Sequence, residues 1–167
     1  SGADHPRPFP DDGRFRIVFA GNMGKAQALD AVLDAAVLLR ESAPLVTFVL
    51  LGGGVETSRL RQRAQDMRLD NVEFMSQVPM AEVGAILAGA DALLVHLRKD
   101  PLFEITIPSK TQAYMAVGKP VLMAVDGDAA SLILASGGGV VAESGNPHSI
   151  ALAAKALASA SVTERLA

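Results

Sequence analysis

Two short stretches of the sequence have the residue types that hold an anion. The first is Gly21-Asn22-Met23-Gly24-Lys25 and the second Ser109-Lys110-Thr111. Glycines let a backbone approach a phosphate, and a helix that starts just after them offers free amides and the positive end of its dipole. Lys25 adds a mobile charge. Taken alone, the first loop fits a plain tight turn with a solvated lysine better than an anion site. It is no P-loop, because the spacing from Gly21 to Gly24-Lys25 is too short and Ala26 stands where Ser or Thr is needed. The dinucleotide reading weakens too: G-x-G-x-x-G is missing, and Gly52-Gly53-Gly54 replaces the acidic residue that holds a ribose. Three successive glycines cost backbone entropy, so either another backbone segment or a ligand comes close there.

The second stretch closes a long segment, residues 97–110. Pro108 suits a first helical turn and sets Ser109, Lys110 and Thr111 at a helix N-terminus. A lysine there opposes the helix dipole, and a bound anion reverses the sign of that cost. His96 reads as a packed, hydrogen-bonded residue. His5 and His148 stand at no ligand spacing from it, and cysteine is absent, so no metal site is expected. No nucleophile elbow or nucleophile–base pair is visible, and no catalytic residue is assigned. The chemistry on offer is anion binding.

The elements that position these stretches alternate from Arg14 onward. Apolar runs at 15–20, 46–51, 71–76, 92–95, 120–125 and 140–142 read as strands, the fourth as a central one covered on both faces. Between them, Leu29, Val32, Leu33, Ala36 and Val37 give a helical stripe over roughly 26–41. Leu60, Ala64 and Met67 mark a second helix, and Val83, Ile86 and Leu87 a third. A further helix runs from Pro108 to a glycine stop at Gly118, and a last one contains Ile150, Ala153, Ala154 and Leu157. The predicted fold is α/β: a Rossmann-like, doubly wound sheet of about six parallel strands with helices on both faces. Ligands of such sheets bind beyond the carboxyl ends of the strands, at residues 21–26, 52–55, 76–80, 96–109 and 126–128.

The chain has 167 residues, a net charge of −3 and no cysteine. That suits one domain over residues 14–167, preceded by a Pro-rich linker or tail over 1–13. A compact domain that starts after such a linker suggests a further unit upstream. The charge carries no basic block, so nucleic acid is not an expected partner. No apolar run reaches the roughly 20 residues of a membrane span, and no signal peptide is visible, so a cytoplasmic location is expected.

Several ordered segments resemble the C-terminal domain of retaining family-four glycosyltransferases, whose architecture is the GT-B fold. They are Phe19-Ala20-Gly21, Leu50 to Gly54, Leu69-Asp70-Asn71-Val72-Glu73-Phe74, Val78-Pro79, Ala88-Gly89-Ala90-Asp91 and Met115 to Val121. Each is weak alone; their order and spacing over Arg14 to about Leu157 are specific. Ile107-Pro108-Ser109-Lys110 is similar to members that build bacterial surface polysaccharide (O-antigen or capsule), including L-fucosamine-transferase-like proteins.

The resemblance implies one half of a two-domain enzyme. An N-terminal domain, absent from this chain, binds the acceptor, which can be a lipid-linked glycan at the inner face of the plasma membrane. This half binds a nucleotide-sugar as substrate, a UDP-sugar in preference to a GDP-sugar, with no cofactor and no metal. By position, Gly21, Asn22, Lys25 and Gln27 approach the diphosphate, the backbone near Gln77-Val78-Pro79 meets the base, Gly53 counts among the donor-binding residues, and Glu104, Ser109, Lys110 and Thr111 hold the sugar and phosphates. Two departures stand out. The family's arginine and lysine for the diphosphate read Asn22 and Gln27 here, so Lys25 or Lys110 must supply charge. Of the family's two glutamates, the first aligns with Ile105, beside Glu104, and the second with Ala113, leaving Gln112 as a substitute at the ribose. Without its upstream half the chain is expected to be inactive. A sugar-nucleotide epimerase half of the same fold and a non-catalytic interaction module are the competing readings. A receiver-type domain is disfavoured, because no acidic cluster stands at the strand ends.

Overall fold

A computed structural model describes residues 8–98, 117–125 and 139–166, with side chains to residue 161. Its strands are β1 (Phe15–Ala20), β2 (Val46–Leu51), β3 (Val72–Met75), β4 (Ala92–His96), β5 (Val121–Ala124) and β6 (Gly139–Val141). Its helices are α1 (Asp30–Ser42), α2 (Thr57–Asp66), α3 (Met80–Gly89) and α4 (Pro147–Leu166). The strands form one sheet in the order β3-β2-β1-β4-β5-β6, and every pairing is parallel. The chain winds outward from β1 to β3, then returns to lay β4 against the other side of β1. That reversal makes the β1–β4 boundary the switch point of the sheet.

Every residue of β1, β2, β4 and β5 is buried, the signature of parallel strands covered on both faces. Alternate side chains divide between two cores, as the strand period of two demands. Ile17, Phe19, Phe48, Leu50, Leu94 and Leu122 pack with α1, α2 and α4. Val18, Val49, Leu51, Leu93, Val95 and Met123 pack with Ile86 and Leu87 of α3 on the opposite face. Helices on both faces therefore follow directly from the uninterrupted apolar runs.

The sequence pattern merged two elements into one helix over 26–41. The structure separates them. Lys25–Gln27 form a 3-10 turn, Ala28 is left-handed at φ 46, and α1 starts only at Asp30. A left-handed residue ends a helical run, and apolar periodicity does not register it. The start of α1 is thus displaced from Gly24, and its first acidic residue, Asp30, is bound by Arg59 (2.7 Å) and Arg63 (3.1 Å).

Residues 8–13, expected as linker or tail, lie against the amino edge of the sheet. Arg16, 5% exposed, donates to Asp12 at 2.8 and 2.9 Å. It reaches Glu73 at 3.2 Å and stacks over the Phe9 ring at 5.2 Å. Asp91 completes the edge: its carboxylate accepts from the Arg16 amide at 2.8 Å, and its own amide donates to the Arg16 carbonyl at 3.0 Å. Gly118, at φ 82, is left-handed as a helix stop requires. Residues 108–116 of the expected helix lie outside the described residues.

Candidate functional site

At the carboxyl ends of β1, β2 and β3 the backbone closes into a tight layer. The Gly21 amide donates to Leu51 and the Met23 amide to Gly53, each at 2.9 Å. The Gly52 amide donates to Met75 at 3.0 Å, and the Glu56 amide returns to the Met23 carbonyl at 3.0 Å. Two of the three consecutive glycines exist for this closure. A Cβ on Gly52 would stand 2.1 Å from the Gly21 carbonyl oxygen, and one on Gly54 2.6 Å from that of Met23. Both residues also have positive φ, at 135 and 155. Gly53 differs: a Cβ there meets nothing within 4 Å. The alternatives left open by the sequence are divided, backbone approach at Gly52 and Gly54, open space at Gly53.

That open space is a cleft of about 660 Å3, lined by the first loop, the glycine run and the start of α3. Ala20, Leu51, Val83 and Leu87 give it apolar walls, and Gln77, Val78, Pro79 and Met80 form one rim with Asn22 opposite. Among the described residues no charged side chain lines it. A mostly apolar cleft of this size with a few carboxamides and backbone groups suits a small planar polar ligand.

The cleft brings together Gly21, Asn22, Gly53 and Val78 of the expected site residues. The Asn22 carboxamide also lies against Gly24 and Gly54, where a Cβ would come within 2.8 and 2.7 Å of it. Lys25 stands elsewhere, in a hollow of about 200 Å3 shared with Asp30, Glu56 and Arg59. Gln27 holds the turn itself: its side-chain oxygen accepts from the Gly24 amide at 2.9 Å. Glu104, Ser109, Lys110 and Thr111 lie outside the described residues, as do Ile105, Gln112 and Ala113.

His96, 1% exposed, is fully engaged. Its Nδ1 lies 2.6 Å from the Gln27 carbonyl oxygen, and its Nε2 accepts from the Gly145 amide at 3.1 Å. A carbonyl needs a donor and an amide an acceptor, so the ring is neutral with the proton on Nδ1. Burial pushes its pKa below the usual histidine value, against the Gln27 bond, which favours protonation. The packed, structural reading of this histidine is correct. Among the described residues no cluster of three or more His, Cys, Asp or Glu is placed to hold a metal ion.

Sequence reasoning missed Arg98. Its backbone amide donates to the Ala26 carbonyl at 2.8 Å, strapping the exit of β4 to the first loop. Nothing in the local sequence signals that bond; only the β1–β4 pairing places the two segments together.

The six-stranded parallel sheet with helices on both faces is a Rossmann-like, doubly wound domain that matches one half of a GT-B architecture. Residues 14–160 match the family model described as Glycosyl transferases group 1, and the chain belongs to that family. It is 27% identical to "Probable glycosyltransferase WbjE" of Pseudomonas aeruginosa over 68% of this chain and 28% of that protein. It is 34% identical to "Putative colanic acid biosynthesis glycosyl transferase WcaI" of Escherichia coli K12, over 65% of this chain and 26% of that protein. The chain thus spans little more than a quarter of each curated relative. Among solved structures, the C-terminal domain of a group 1 glycosyl transferase (LpcC) from Francisella tularensis superposes with a TM-score of 0.72 at 18% identity, covering 87% of this chain and 75% of that one. Anabaena Alr3699/HepE, solved in complex with UDP-glucose, gives 0.66 at 20% identity, covering 89% and 44%.

Proposed function

We propose that this chain is the donor-binding half of a retaining glycosyltransferase of bacterial surface polysaccharide (O-antigen or capsule) biosynthesis, and that it takes a UDP-sugar in preference to a GDP-sugar. The observation that carries the reading is the mostly apolar cleft between Gly21, Gly53 and Gln77–Pro79 at the carboxyl edge of the sheet. A nucleoside fits its apolar walls, with the base against the backbone of Gln77–Pro79 and the diphosphate over the Gly21–Lys25 loop. Family membership and HepE's UDP-glucose support the same ligand class.

Glu104 and Ser109 to Thr111 then hold the donor sugar and phosphates, with Lys110 supplying positive charge to the leaving diphosphate. No metal takes part. The acceptor site, and any contact with a lipid-linked glycan at the cytoplasmic face of the membrane, belongs to an upstream domain. Among the described residues no helix is long and apolar enough to cross a membrane. Calorimetric titration tests the reading: UDP binds, GDP binds more weakly, and Lys110→Ala lowers UDP affinity. A protein that binds neither nucleotide is not a donor half. Transfer activity from this chain alone would overturn the assignment of the acceptor site to another domain.

A further inference from the structure

Of the large apolar side chains that stand exposed among the described residues, Leu45, Val55, Met80 and Leu152, Met80 alone lines the cleft. It is 86% exposed. A lone apolar residue on a surface needs no account, but this one ends a stripe. Met80, Val83 and Leu87 recur at i, i+3 and i+7 along α3, so they share one face of the helix, and all three line the cleft. Leu87 is buried at the inner end, Val83 is half-buried, and Met80 is open to water at the mouth. The apolar face of α3 thus runs out of the core and up one wall of the cleft.

The backbone beneath Met80 is fixed. Pro79 holds the entry to α3 at φ −56, and its carbonyl accepts from the Glu82 amide at 2.8 Å. Helical side chains lean toward the N-terminus of their helix. Met80 is the first residue of α3, so its thioether has no earlier helical turn to lie on and leans toward the Gln77–Pro79 side. One turn further along, Gly84 brings no side chain against it, and a Cβ there would meet nothing within 4 Å.

A base seated against the Gln77–Pro79 backbone keeps its other face in water unless a side chain covers it. Methionine suits that task, with three rotatable bonds and a polarizable sulfur that packs favourably on aromatic rings. Resting on the donor-binding reading, we infer that Met80 is a nucleoside-binding residue, which folds over the exposed face of the base when a nucleotide enters. The end of the ligand it meets is the base and not the diphosphate. No charged side chain lines the cleft among the described residues, and an apolar side chain gains nothing from a phosphate. In the free protein the thioether stands in water; in the complex it and the base leave water together.

Titration of the 167-residue chain with UDP and with uridine, alongside melting curves, tests this role. Met80→Ala lowers affinity for both ligands by the same factor, about fivefold, as loss of a sulfur–aromatic contact does. It leaves the melting temperature of the free protein unchanged, because the side chain removed is an exposed one. Met80→Gln, similar in length but polar, loses as much affinity, whereas Met80→Leu loses less. NMR of methyl-labelled methionine reads the contact directly. The Met80 methyl signal, identified by its absence from Met80→Leu, shifts with uridine and stays in place with pyrophosphate. Wild-type affinity for both ligands in Met80→Ala, a loss of UDP with uridine unchanged, or wild-type binding by Met80→Gln overturns the role of Met80 while the donor reading stands. So does a Met80 methyl signal that uridine leaves unmoved, which decides the matter should the alanine variant lose stability. If wild type binds neither UDP nor uridine, the donor reading itself fails, and the role of Met80 with it.

Discussion

His96 at the end of β4 donates from Nδ1 to the Gln27 carbonyl, 2.6 Å away across the switch point of the sheet. Its other nitrogen accepts from the Gly145 amide, so one buried imidazole ties together the first loop, β4 and the turn before α4. That arrangement requires a neutral ring. Burial lowers its folded pKa below the ordinary value of 6.5. The unfolded chain therefore binds the proton first: this histidine's contribution to stability is complete above pH 6.5 and declines as pH falls from there toward the folded pKa. Urea unfolding between pH 7.5 and 5 should show that decline, and His96→Gln should flatten it. The same substitution should cost about 2 kcal/mol at pH 7.5, since it leaves buried groups short of partners. An identical pH profile in wild type and variant would remove His96 as its source.

Gly52 and Gly21 form the tightest contact of the site. A Cβ on Gly52 would press on the Gly21 carbonyl at 2.1 Å, and the residue has a φ of 135 that L side chains rarely adopt. Gly52→Ala must therefore move β1 and β2 apart at the cleft or distort both loops. The expected loss is about 3 kcal/mol or more, combining backbone strain with overpacking, and thermal melting measures it. A variant as stable as wild type would show that the loops yield without cost.

Much of this domain was legible before its coordinates. Uninterrupted apolar runs such as Ala92-Leu93-Leu94-Val95 announce strands buried on both faces, and short α/β alternation leaves little freedom in topology. The cleft was legible in part. Gly21 and Val78 fall on it because strand carboxyl ends host ligands whatever the side chains. The boundary at Ala28 was not legible, because a left-handed alanine leaves no trace in apolar periodicity. The division of labour among Gly52, Gly53 and Gly54 depends on which atoms face each Cβ direction, which composition does not encode. Arg98 was hidden for a related reason, since its tie to Ala26 crosses between elements distant in sequence.

Arg16 is a buried charge at the amino end of β1, far along the strand from the cleft. Asp12 and Glu73 hold it charged, raising its pKa above the ordinary arginine value, chiefly through the Asp12 hydrogen bonds. Arg16→Ala should release residues 8–13 from the amino edge and lower the melting temperature by several degrees. Its effect on stability should far exceed its effect on UDP binding, because the removed contacts lie at the opposite end of the sheet. Limited proteolysis reports the release: cleavage within residues 8–14 should appear in the variant while wild type resists. Equal resistance would mean that Phe9 packing alone secures the segment.

Gly53 gives the most direct test of the cleft, because a side chain there changes its room and nothing else. A side chain grown there meets no atom within 4 Å and enters the cavity of about 660 Å3 whose lining includes this residue. Gly53→Leu should therefore leave the fold intact, with a stability change of about 1 kcal/mol or less. It should weaken uridine and UDP by the same factor, since both must place a nucleoside where the leucine now lies. A Gly53→Leu protein that folds and still binds uridine at wild-type strength would move the nucleoside out of this cleft.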